Sequence, residues 1–350
     1  MRTYNWAILG LGNIARKFAQ DLALVPQARL HAVASRSRDK ARAFAADFAV
    51  PHAVGSYEEL LAVPGIDVVY IATPHSEHYA HALLCLRAGL PVLCEKAFAQ
   101  NAAQAREMIR VARAGRVFLM EAFWTRFFPA IAQALALVAA GHIGEVKHLV
   151  ADFGFATPYQ PAGRLFNPAL AGGSLLDIGV YPLFISQLFL GLPRVMGAVA
   201  TPAPTGVDLN CAIALAYPDG ATASLFSTLA APTDNRCVLY GTKGQLQLLG
   251  RFHAPSGVQL LLAGEKVPQI FPAPPTPGHG YHYEAAHVQE CLAQGQSESP
   301  LLPLDFSLRL MEQLDAVRQQ IGLRYPGEEQ ADASQGSGTT STAKTDLQLG

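Results

Sequence analysis

The sequence predicts an α/β protein of two domains, the first built on a parallel sheet and the second, of α+β type, on a mainly antiparallel sheet. Segments of strand and helix type alternate along residues 1 to about 120 at the spacing of βαβ units. Strand-like runs predominate after Glu121, and a chain of 350 residues is long for a single core. We therefore expect a first domain over residues 1–121, a second over 122–326 whose last helices can pack back on the first, and a disordered tail over 327–350, which has no apolar period.

The first domain is organised around a glycine-containing turn that follows its first strand. Apolar strand residues run directly into Gly10 and Gly12, a helical pattern follows, and a second strand covers Leu30–Ser35. Gly10 permits the tight turn, and Gly12 lets a pyrophosphate approach the backbone. Asn13 and Ile14 open the helix, whose free N–H groups point at an anion. The pattern also fits a simple tight turn, but the order of strand, helix and strand favours a dinucleotide site.

The remaining elements follow in order along the chain. In the first domain we predict helices near 38–48, 57–61, 76–88 and 102–114, and strands near residue 53 and over 67–72, 91–95 and 117–120. In the second domain we predict a helix over 130–140 and strands over 146–155, 195–200, 209–217, 221–229, 237–240 and 245–248. A proline-rich loop over 271–277 and two late helices complete this domain.

The end of the second strand indicates which dinucleotide binds. An NAD site usually places an acidic residue there, about 20 residues after the glycines. This chain has Ser35, Arg36, Ser37 and Arg38 instead, and a guanidinium can bind a 2′-phosphate through two parallel hydrogen bonds. An exposed basic turn is the alternative, but beside the glycines this pattern favours NADP over NAD.

Two further segments end strands at the sheet edge where a nicotinamide would lie. Thr73, Pro74 and His75 follow one strand, and His75 could bind the ribose or simply cap a helix. Glu95 and Lys96 end the next strand. A lysine held against a nicotinamide cation would have a lowered pKa, suited to acid–base chemistry, although position alone also fits a lysine that extends into solvent.

A later segment brings an acid and a phenol close together in sequence. If the chain from Asp177 to Tyr181 is helical, the two side chains share a face one turn apart. Gly179 and Pro182 favour a kink or break there. A structural ion pair for Asp177 and a core position for Tyr181 are the alternatives.

Taken together, these motifs resemble the glucose–fructose oxidoreductase, inositol dehydrogenase and rhizopine-catabolism (Gfo/Idh/MocA) superfamily. The resemblance rests on the glycine turn, on Glu95-Lys96 and on the spacing of Gly173, Asp177 and Tyr181, and it covers residues 1 to about 327. Within the superfamily, residues 118–129, 175–182 and 311–322 are similar to the branch of dimeric trans-dihydrodiol dehydrogenase and NADP-dependent D-xylose dehydrogenase.

The resemblance implies an N-terminal Rossmann domain, a C-terminal domain with an open-faced sheet, and a catalytic group under the nicotinamide. That catalytic group would consist of Lys96, Asp177 and Tyr181. The residues expected to face the substrate cleft are Trp124, Arg126, Phe166 and Asn167, although Trp124 would serve equally well in the core that links the domains. The family's Glu-Lys-Pro reads Glu-Lys-Ala here, and because a cis bond before a non-proline residue is costly we expect a trans bond before Ala97.

The function that follows is an NAD(P)-dependent oxidoreductase acting on a hydroxyl carbon of a small polyol, aldose or cyclic trans-diol. Tyr181, with Lys96 beside it, would remove the hydroxyl proton, and Asp177 would orient the substrate or Lys96. The alternative is a cofactor-binding sensor without turnover, against which the presence of both Lys96 and Tyr181 argues. Low charge among the cleft residues favours a neutral, polyhydroxylated substrate.

Composition limits the remaining possibilities. A net charge of −1 gives no reason to expect a nucleic acid or membrane partner, and no uninterrupted apolar run is long enough to cross a bilayer. The five cysteines form no Cys-x-x-Cys pair, so we expect no metal site and a reducing, cytoplasmic location. Strands such as 209–217 are apolar on both faces, which predicts a homodimer or larger homo-oligomer.

Overall fold

The structure is a computed structural model, and it describes residues 2–328. Residues 329–350, most of the predicted tail, lie outside the described residues. The two tail residues that are described, Gly327 and Glu328, follow the last helix, and Glu328 Oε2 lies 2.9 Å from Arg318 Nη1 in an ion pair.

The first half of the chain forms a six-stranded parallel sheet within the described residues, with strand order β3-β2-β1-β4-β5-β6. Its strands are β1 (Tyr4–Leu9), β2 (Ala28–Ala34), β3 (His52–Val54), β4 (Val68–Ile71), β5 (Val92–Glu95) and β6 (Leu119–Ala122). The helices between them are α1 (Asn13–Leu22), α2 (Arg38–Phe48), α3 (Tyr57–Leu61), α4 (His75–Arg87) and α5 (Ala102–Gly115). The order reverses between β1 and β4, which opens a crevice at the carboxyl ends of the strands. This is the predicted Rossmann arrangement, and the prediction is confirmed.

The second half forms a sheet of eight strands among the residues described, in the order β14-β13-β12-β11-β7-β10-β9-β8. They are β7 (Val146–Gly154), β8 (Val195–Pro202), β9 (Asp208–Ala216), β10 (Thr222–Thr228), β11 (Cys237–Gly241), β12 (Gly244–Arg251), β13 (Ala254–Leu262) and β14 (Gln269–Pro272). The helices are α6 (Pro129–Ala139), α7 (Val180–Leu190), α8 (Tyr281–Ala293) and α9 (Leu304–Ile321). Only β7 and β10 pair in parallel, so the predicted mainly antiparallel sheet is confirmed.

Two strands of this sheet were not predicted from the sequence. β13 contains Pro255 and Gly257, and the register with β12 shifts beside Pro255, so no clean alternation is visible. β14 has four residues and lies at the edge of the sheet. An edge strand needs hydrogen bonds on one side only, which is why it tolerates the proline at its end.

The interior is made mainly by strands and by one helix that are apolar throughout. All residues of β4 and β5 are buried, and so are the first eight residues of α7. Contrary to expectation, one stretch of the described chain, Pro168–Leu190, is long and apolar enough to cross a membrane, but 89% of its most apolar window is buried inside the fold. This stretch is a core segment that packs on the second sheet.

The last two helices pack against the first sheet's own helices. Asp21, at the end of α1, accepts hydrogen bonds from the backbone N–H groups of His279 (2.9 Å) and Tyr281 (2.8 Å), where α8 begins. Asp315 on α9 accepts one from the N–H of Ala102, the first residue of α5, at 2.7 Å. The two sheets are therefore joined by helices as well as by the chain between β6 and α6.

Candidate active site

The turn between β1 and α1 provides a site for a phosphate group. Gly10 has φ +91°, and a Cβ atom placed on it would lie 2.6 Å from the Thr73 methyl carbon. A Cβ atom on Gly12 would meet nothing within 4 Å, so the space beside this residue is open. Asn13 and Ile14 form the first turn of α1, where backbone N–H groups have no intrahelical partners and can bind an anion. The residues therefore fit a bound pyrophosphate.

The end of β2 carries the residues expected to choose between NADP and NAD. Ser35 is buried and its hydroxyl accepts a hydrogen bond from the N–H of Ser37 at 3.2 Å. Arg36 is exposed and lies beside the Tyr57 phenol. Arg38 is bound instead by both carboxylate oxygens of Glu59, at 2.8 and 2.7 Å. Arg36 is therefore the better placed of the two arginines for a 2′-phosphate.

The segment after β4 places His75 in the crevice. Pro74 precedes the first residue of α4, and His75 is 8% exposed, with its Nδ1 3.2 Å from the carbonyl oxygen of Ala171. Burial, together with the nearby His78 and Lys96, lowers the pKa of His75 to about 3. The imidazole is therefore neutral near pH 7 and suited to hydrogen bonding with a ribose hydroxyl.

Lys96 lies at the carboxyl end of β5 and points into the crevice between the two halves of the molecule. Its Nζ donates a hydrogen bond to the backbone carbonyl of Asp177 at 2.7 Å and lies 3.8 Å from Asp177 Oδ1. The same ammonium lies 5.0 Å from the centroid of the Tyr181 ring. Burial lowers the pKa of Lys96, while the neighbouring carboxylate opposes that change. The structure therefore brings together the three residues that the sequence predicted as catalytic.

Asp177 is shared between two cations. Arg164 Nη1 lies 2.5 Å from Asp177 Oδ1, which is also the oxygen nearest to Lys96. Burial alone would raise the pKa of this carboxyl, but the positive charges of Lys96 and Arg164 hold it well below its usual range. Asp177 therefore remains a carboxylate, while its backbone carbonyl binds the ammonium of Lys96 beside the phenol.

Tyr181 is buried and has a single hydrogen-bond donor at its hydroxyl. The indole N–H of Trp124 donates to the Tyr181 oxygen at 2.9 Å. Burial raises the pKa of the phenol well above its usual value, whereas the bond from Trp124 lowers it. The chain from Leu175 to Gly179 forms a π-helical turn and α7 begins immediately after it, so the segment is helical with an irregular turn where Gly179 and Pro182 favoured a kink or break. Such π-turns are frequent at functional sites.

The peptide bond between Lys96 and Ala97 is cis, so the prediction of a trans bond was wrong. The Ala97 carbonyl accepts a hydrogen bond from His78 Nδ1 at 2.9 Å, and Ala97 itself is fully buried. The prediction rested on the preference of non-proline peptide bonds for the trans form, and it took no account of these tertiary contacts. Lys96 nevertheless stays in the crevice, as expected.

Glu95, Phe166, Asn167 and Arg126 have local roles in the structure. Glu95 accepts hydrogen bonds from the Tyr70 hydroxyl and from the N–H of Lys96. Phe166 is buried, and Asn167 caps a short 3₁₀ turn through the N–H of Ala169 at 2.9 Å. Arg126 donates to the carbonyl of Leu301 at 2.9 Å, in the segment before α9. The structure does not bring Arg126 into contact with the catalytic group, and the roles of these residues toward cofactor and substrate stay predictions.

Three residues of this site were not predicted from the sequence. Arg164 could not be assigned from the sequence, because no spacing rule links it to Asp177, 13 residues later. His253 is 5% exposed, stacks on Phe153 with ring centroids 4.2 Å apart, and lies 5.5 Å from the Tyr181 ring. Tyr281, at the start of α8, stacks on Trp124 at 4.6 Å. His253 and Tyr281 line the site from parts of the chain that are distant in sequence, so their positions could be known only from the tertiary fold.

The arrangement can exchange a proton with an alcohol beside a bound dinucleotide. The Trp124 N–H on the phenolic oxygen and the Lys96 ammonium near the ring stabilise the phenolate and so oppose the effect of burial on the Tyr181 pKa. Within residues 2–328, no three histidine, cysteine, aspartate or glutamate side chains come together in a way that could hold a metal ion.

Comparison with known proteins identifies the family. Residues 4–123 match the model of the oxidoreductase family with an NAD-binding Rossmann fold, and residues 131–247 match the GFO/IDH/MocA C-terminal domain. The trans-1,2-dihydrobenzene-1,2-diol dehydrogenase of Bos taurus is 41% identical over 333 residues, which cover 92% of this chain and 98% of that protein. The Homo sapiens enzyme of the same name is 40% identical over 332 residues, with the same coverage.

Solved structures agree with this result. An aldose-aldose oxidoreductase from Caulobacter crescentus, complexed with glycerol, superposes with a TM-score of 0.82 at 28% identity, covering 91% of this chain and 97% of that one. A 3-ketoreductase from Actinomadura kijaniata, complexed with NADP and TDP-benzene, also gives a TM-score of 0.82 at 28% identity, covering 91% and 98%. On the matches to both halves and on this identity along most of its length, the chain belongs to the Gfo/Idh/MocA oxidoreductase family.

Proposed function

We propose that this chain is an NADP-dependent dehydrogenase that oxidises a hydroxyl-bearing carbon of a cyclic trans-diol or of a small, neutral aldose or polyol. The observation that carries the proposal is the contact group of Lys96, Asp177, Tyr181 and Trp124 at the carboxyl ends of the first sheet. The dihydrodiol dehydrogenases that resemble the chain, and the sugar-acting enzymes that share its fold, support this substrate class.

Each residue of the group has a distinct part in the reaction. Tyr181 acts as a phenolate, which the Trp124 N–H and the Lys96 ammonium stabilise, and its oxygen accepts the proton of the substrate hydroxyl. Asp177 holds Lys96 in place, and His75 is placed to bind the ribose. NADP, when bound, supplies the nicotinamide carbon that accepts hydride from the substrate carbon. The side chains of Phe153, Tyr281 and His253 restrict the access of water to the reacting atoms.

The fit of NADP rests on the residues at the ends of β1 and β2. The open space beside Gly12 can hold a pyrophosphate, and the exposed guanidinium of Arg36 can bind a 2′-phosphate. Removal of one bidentate charged contact costs about 1.5–3 kcal/mol. We therefore expect Arg36→Ala to weaken NADP binding about tenfold or more and to leave NAD binding almost unchanged, measured by fluorescence titration of reduced cofactor. Equal losses for NADP and NAD would contradict this role of Arg36.

The function is tested with a panel of aldoses, inositols and trans-dihydrodiols, following the absorbance of reduced nicotinamide with NADP and with NAD. On the best substrate we expect Tyr181→Phe to lower turnover about 100- to 10,000-fold and to preserve NADP affinity. Lys96→Met should cause a similar loss. The losses should not add in the double variant, because both residues act on one proton transfer.

A sensor without turnover is the competing function, and the same panel distinguishes it. A sensor would bind NADP and a small ligand, and reduced cofactor would not accumulate with any compound. Wild-type turnover in Tyr181→Phe would instead refute the catalytic role of that residue while leaving the enzyme class intact.

We further propose that the protein acts in the cytoplasm as a homodimer or larger homo-oligomer. The five cysteines are unpaired and buried in the described chain, which suits a reducing compartment. One face of the eight-stranded sheet carries exposed apolar side chains on β8, β10 and β11, which suits burial against a second copy. Fractionation of the source cells tests the location, and light scattering tests the assembly.

A further inference from the structure

Arg164 approaches the catalytic group from the loop between β7 and α7. More than half of its side chain is exposed, whereas its bonding partner Asp177 is almost fully buried, with side-chain exposures of 58% and 7%. Within residues 2–328, the carboxylate is the hydrogen-bonding partner that the structure gives the Arg164 guanidinium. The exposed side chain of Arg164 therefore reaches the buried carboxylate of Asp177 through one N–H group.

The geometry around Asp177 suggests competition between two cations for one oxygen. Arg164 Nη1 is 2.5 Å from Oδ1, while Lys96 Nζ is 3.8 Å from the same atom. A separation of 3.8 Å is too long for a hydrogen bond. The ammonium of Lys96 hydrogen-bonds the backbone carbonyl of Asp177 instead, at 2.7 Å. Lys96 thus lies near the carboxylate without being directly bonded to it.

We propose that Arg164 is a positioning residue that holds the Asp177 carboxylate 3.8 Å from Lys96, so that the lysine ammonium faces Tyr181 instead of hydrogen-bonding the carboxylate. The ammonium then lies 5.0 Å from the Tyr181 ring centroid, where its charge acts on the phenol. Without Arg164, the carboxylate would turn to Lys96 and neutralise much of that charge. The part assigned to Lys96 and Tyr181 rests on the proposed function, but the arrangement of the charges does not.

The charges around Lys96 fix the direction of the expected change. The groups that act on its ammonium are Glu95 on β5, Glu121 on β6, Asp177 in the π-turn and Arg164 in the loop; His75 on α4, Tyr181 on α7 and His253 after β12 also lie nearby. Burial and Arg164 lower the pKa of Lys96, and the carboxylates raise it. Loss of Arg164 removes a positive charge and releases a negative one, and both changes raise the pKa of Lys96.

The test measures Lys96 directly and needs no substrate. Acetic anhydride acylates neutral amines, so the pH dependence of acetylation at Lys96, quantified by peptide mass spectrometry on the cofactor-free protein, reports its protonation. We expect Arg164→Gln to move this profile to higher pH by about one unit, and Arg164→Lys to restore it. Arg110→Gln, which removes an exposed arginine from its ion pair with Glu107 on α5, is the matched control and should leave the profile unchanged.

A double-mutant cycle separates positioning from a direct effect of charge. If Arg164 acts by holding the carboxylate, Arg164→Gln should move the Lys96 profile much less in an Asp177→Asn background than in the wild type. Equal shifts in both backgrounds, or no shift in Arg164→Gln alone, would overturn the proposal.

Turnover provides a second readout. On a substrate that the wild type oxidises, we expect the rising limb of the plot of kcat/KM against pH to move to higher pH in Arg164→Gln. The NADP affinity should not change. A residue that merely anchored the loop would lower thermal stability or raise KM without moving that limb. If the wild type oxidises nothing in the panel, the proposed function fails, while the acetylation profiles still decide the role of Arg164.

Discussion

Gly10 and Gly12, two residues apart, have different reasons to be glycine. Gly10 has a positive φ and no room for a side chain beside Thr73, whereas Gly12 has φ −91° and open space beside it. A Cβ atom is therefore excluded by the protein itself at Gly10 and by the cofactor at Gly12.

This difference gives a paired prediction. We expect Gly10→Ala to lower the free energy of unfolding by about 1–3 kcal/mol, measured by urea denaturation of the cofactor-free protein. Gly12→Ala should leave that free energy unchanged and weaken NADP binding at least about tenfold, since its methyl group would occupy the pyrophosphate position. Normal NADP affinity in a folded Gly12→Ala variant would argue against the site.

Local sequence was sufficient to predict the residues that each motif supplies, but not the partners that those residues find. Lys96 and Tyr181 were predicted because Glu95-Lys96 and the spacing of Gly173, Asp177 and Tyr181 resemble the family's motifs, and the structure brings them together. Arg38 looked equivalent to Arg36 in sequence, yet Glu59, on another helix, binds it. The contribution of Arg164 could not be predicted either, since ion pairs between loops leave no periodic pattern.

Among the elements, the start of α8 is anchored to α1 through Asp21. Asp21 is fully buried and accepts hydrogen bonds from the backbone N–H groups of His279 and Tyr281. Tyr281 in turn stacks on Trp124, which donates to Tyr181. The carboxylate of Asp21 thus supports the wall of the active site from a distance.

We expect Asp21→Ala to destabilise the protein by about 2–5 kcal/mol, because the buried N–H of Tyr281 and the partly buried N–H of His279 lose their acceptor. Asp21→Asn keeps one acceptor oxygen and should cost less than half of that. Asp234→Ala, at an exposed position between β10 and β11, is the control. Urea denaturation provides the measurement, and equal stability of Asp21→Ala and Asp234→Ala would show that α8 is held by other contacts.

The strength of the sequence signal also varied from one element to the next. The strands of the parallel sheet are continuous apolar runs bounded by turns, and they were predicted closely. The π-turn before α7 was not predicted, because an inserted residue changes the hydrogen bonding of the helix without changing its apolar composition. The strands β13 and β14 were not predicted, because proline and glycine interrupt the alternation of apolar and polar residues in them.

For the whole molecule, one face of the eight-stranded sheet is exposed across several strands of the part that the structure describes. Its exposed apolar side chains include Val195 (55% exposed), Val199 (71%), Phe226 (37%) and Tyr240 (38%) on β8, β10 and β11. The opposite face packs on α7 and is closed. The open face therefore has the character of an interface between two copies of the chain.

We expect a mass of at least twice that of the monomer in light scattering at micromolar concentration. Val199→Glu combined with Phe226→Glu should convert the assembly to monomers, because two charges would be buried without partners. Val267→Glu, at an exposed position in the turn between β13 and β14 (76% exposed), is the control and should leave the mass unchanged. A monomeric wild-type protein would refute the assembly.

The return of α8 and α9 to the first sheet has a consequence for how the protein can be divided. The nucleotide-binding half is contiguous in sequence, but two of its helices bury surface against the last fifty residues of the described chain, through Asp21 and Asp315. A fragment that stops after β6 would expose that surface to water. The nucleotide-binding domain could therefore not be exchanged between relatives by itself. A recombinant protein would need α8 and α9 from the same parent as that domain.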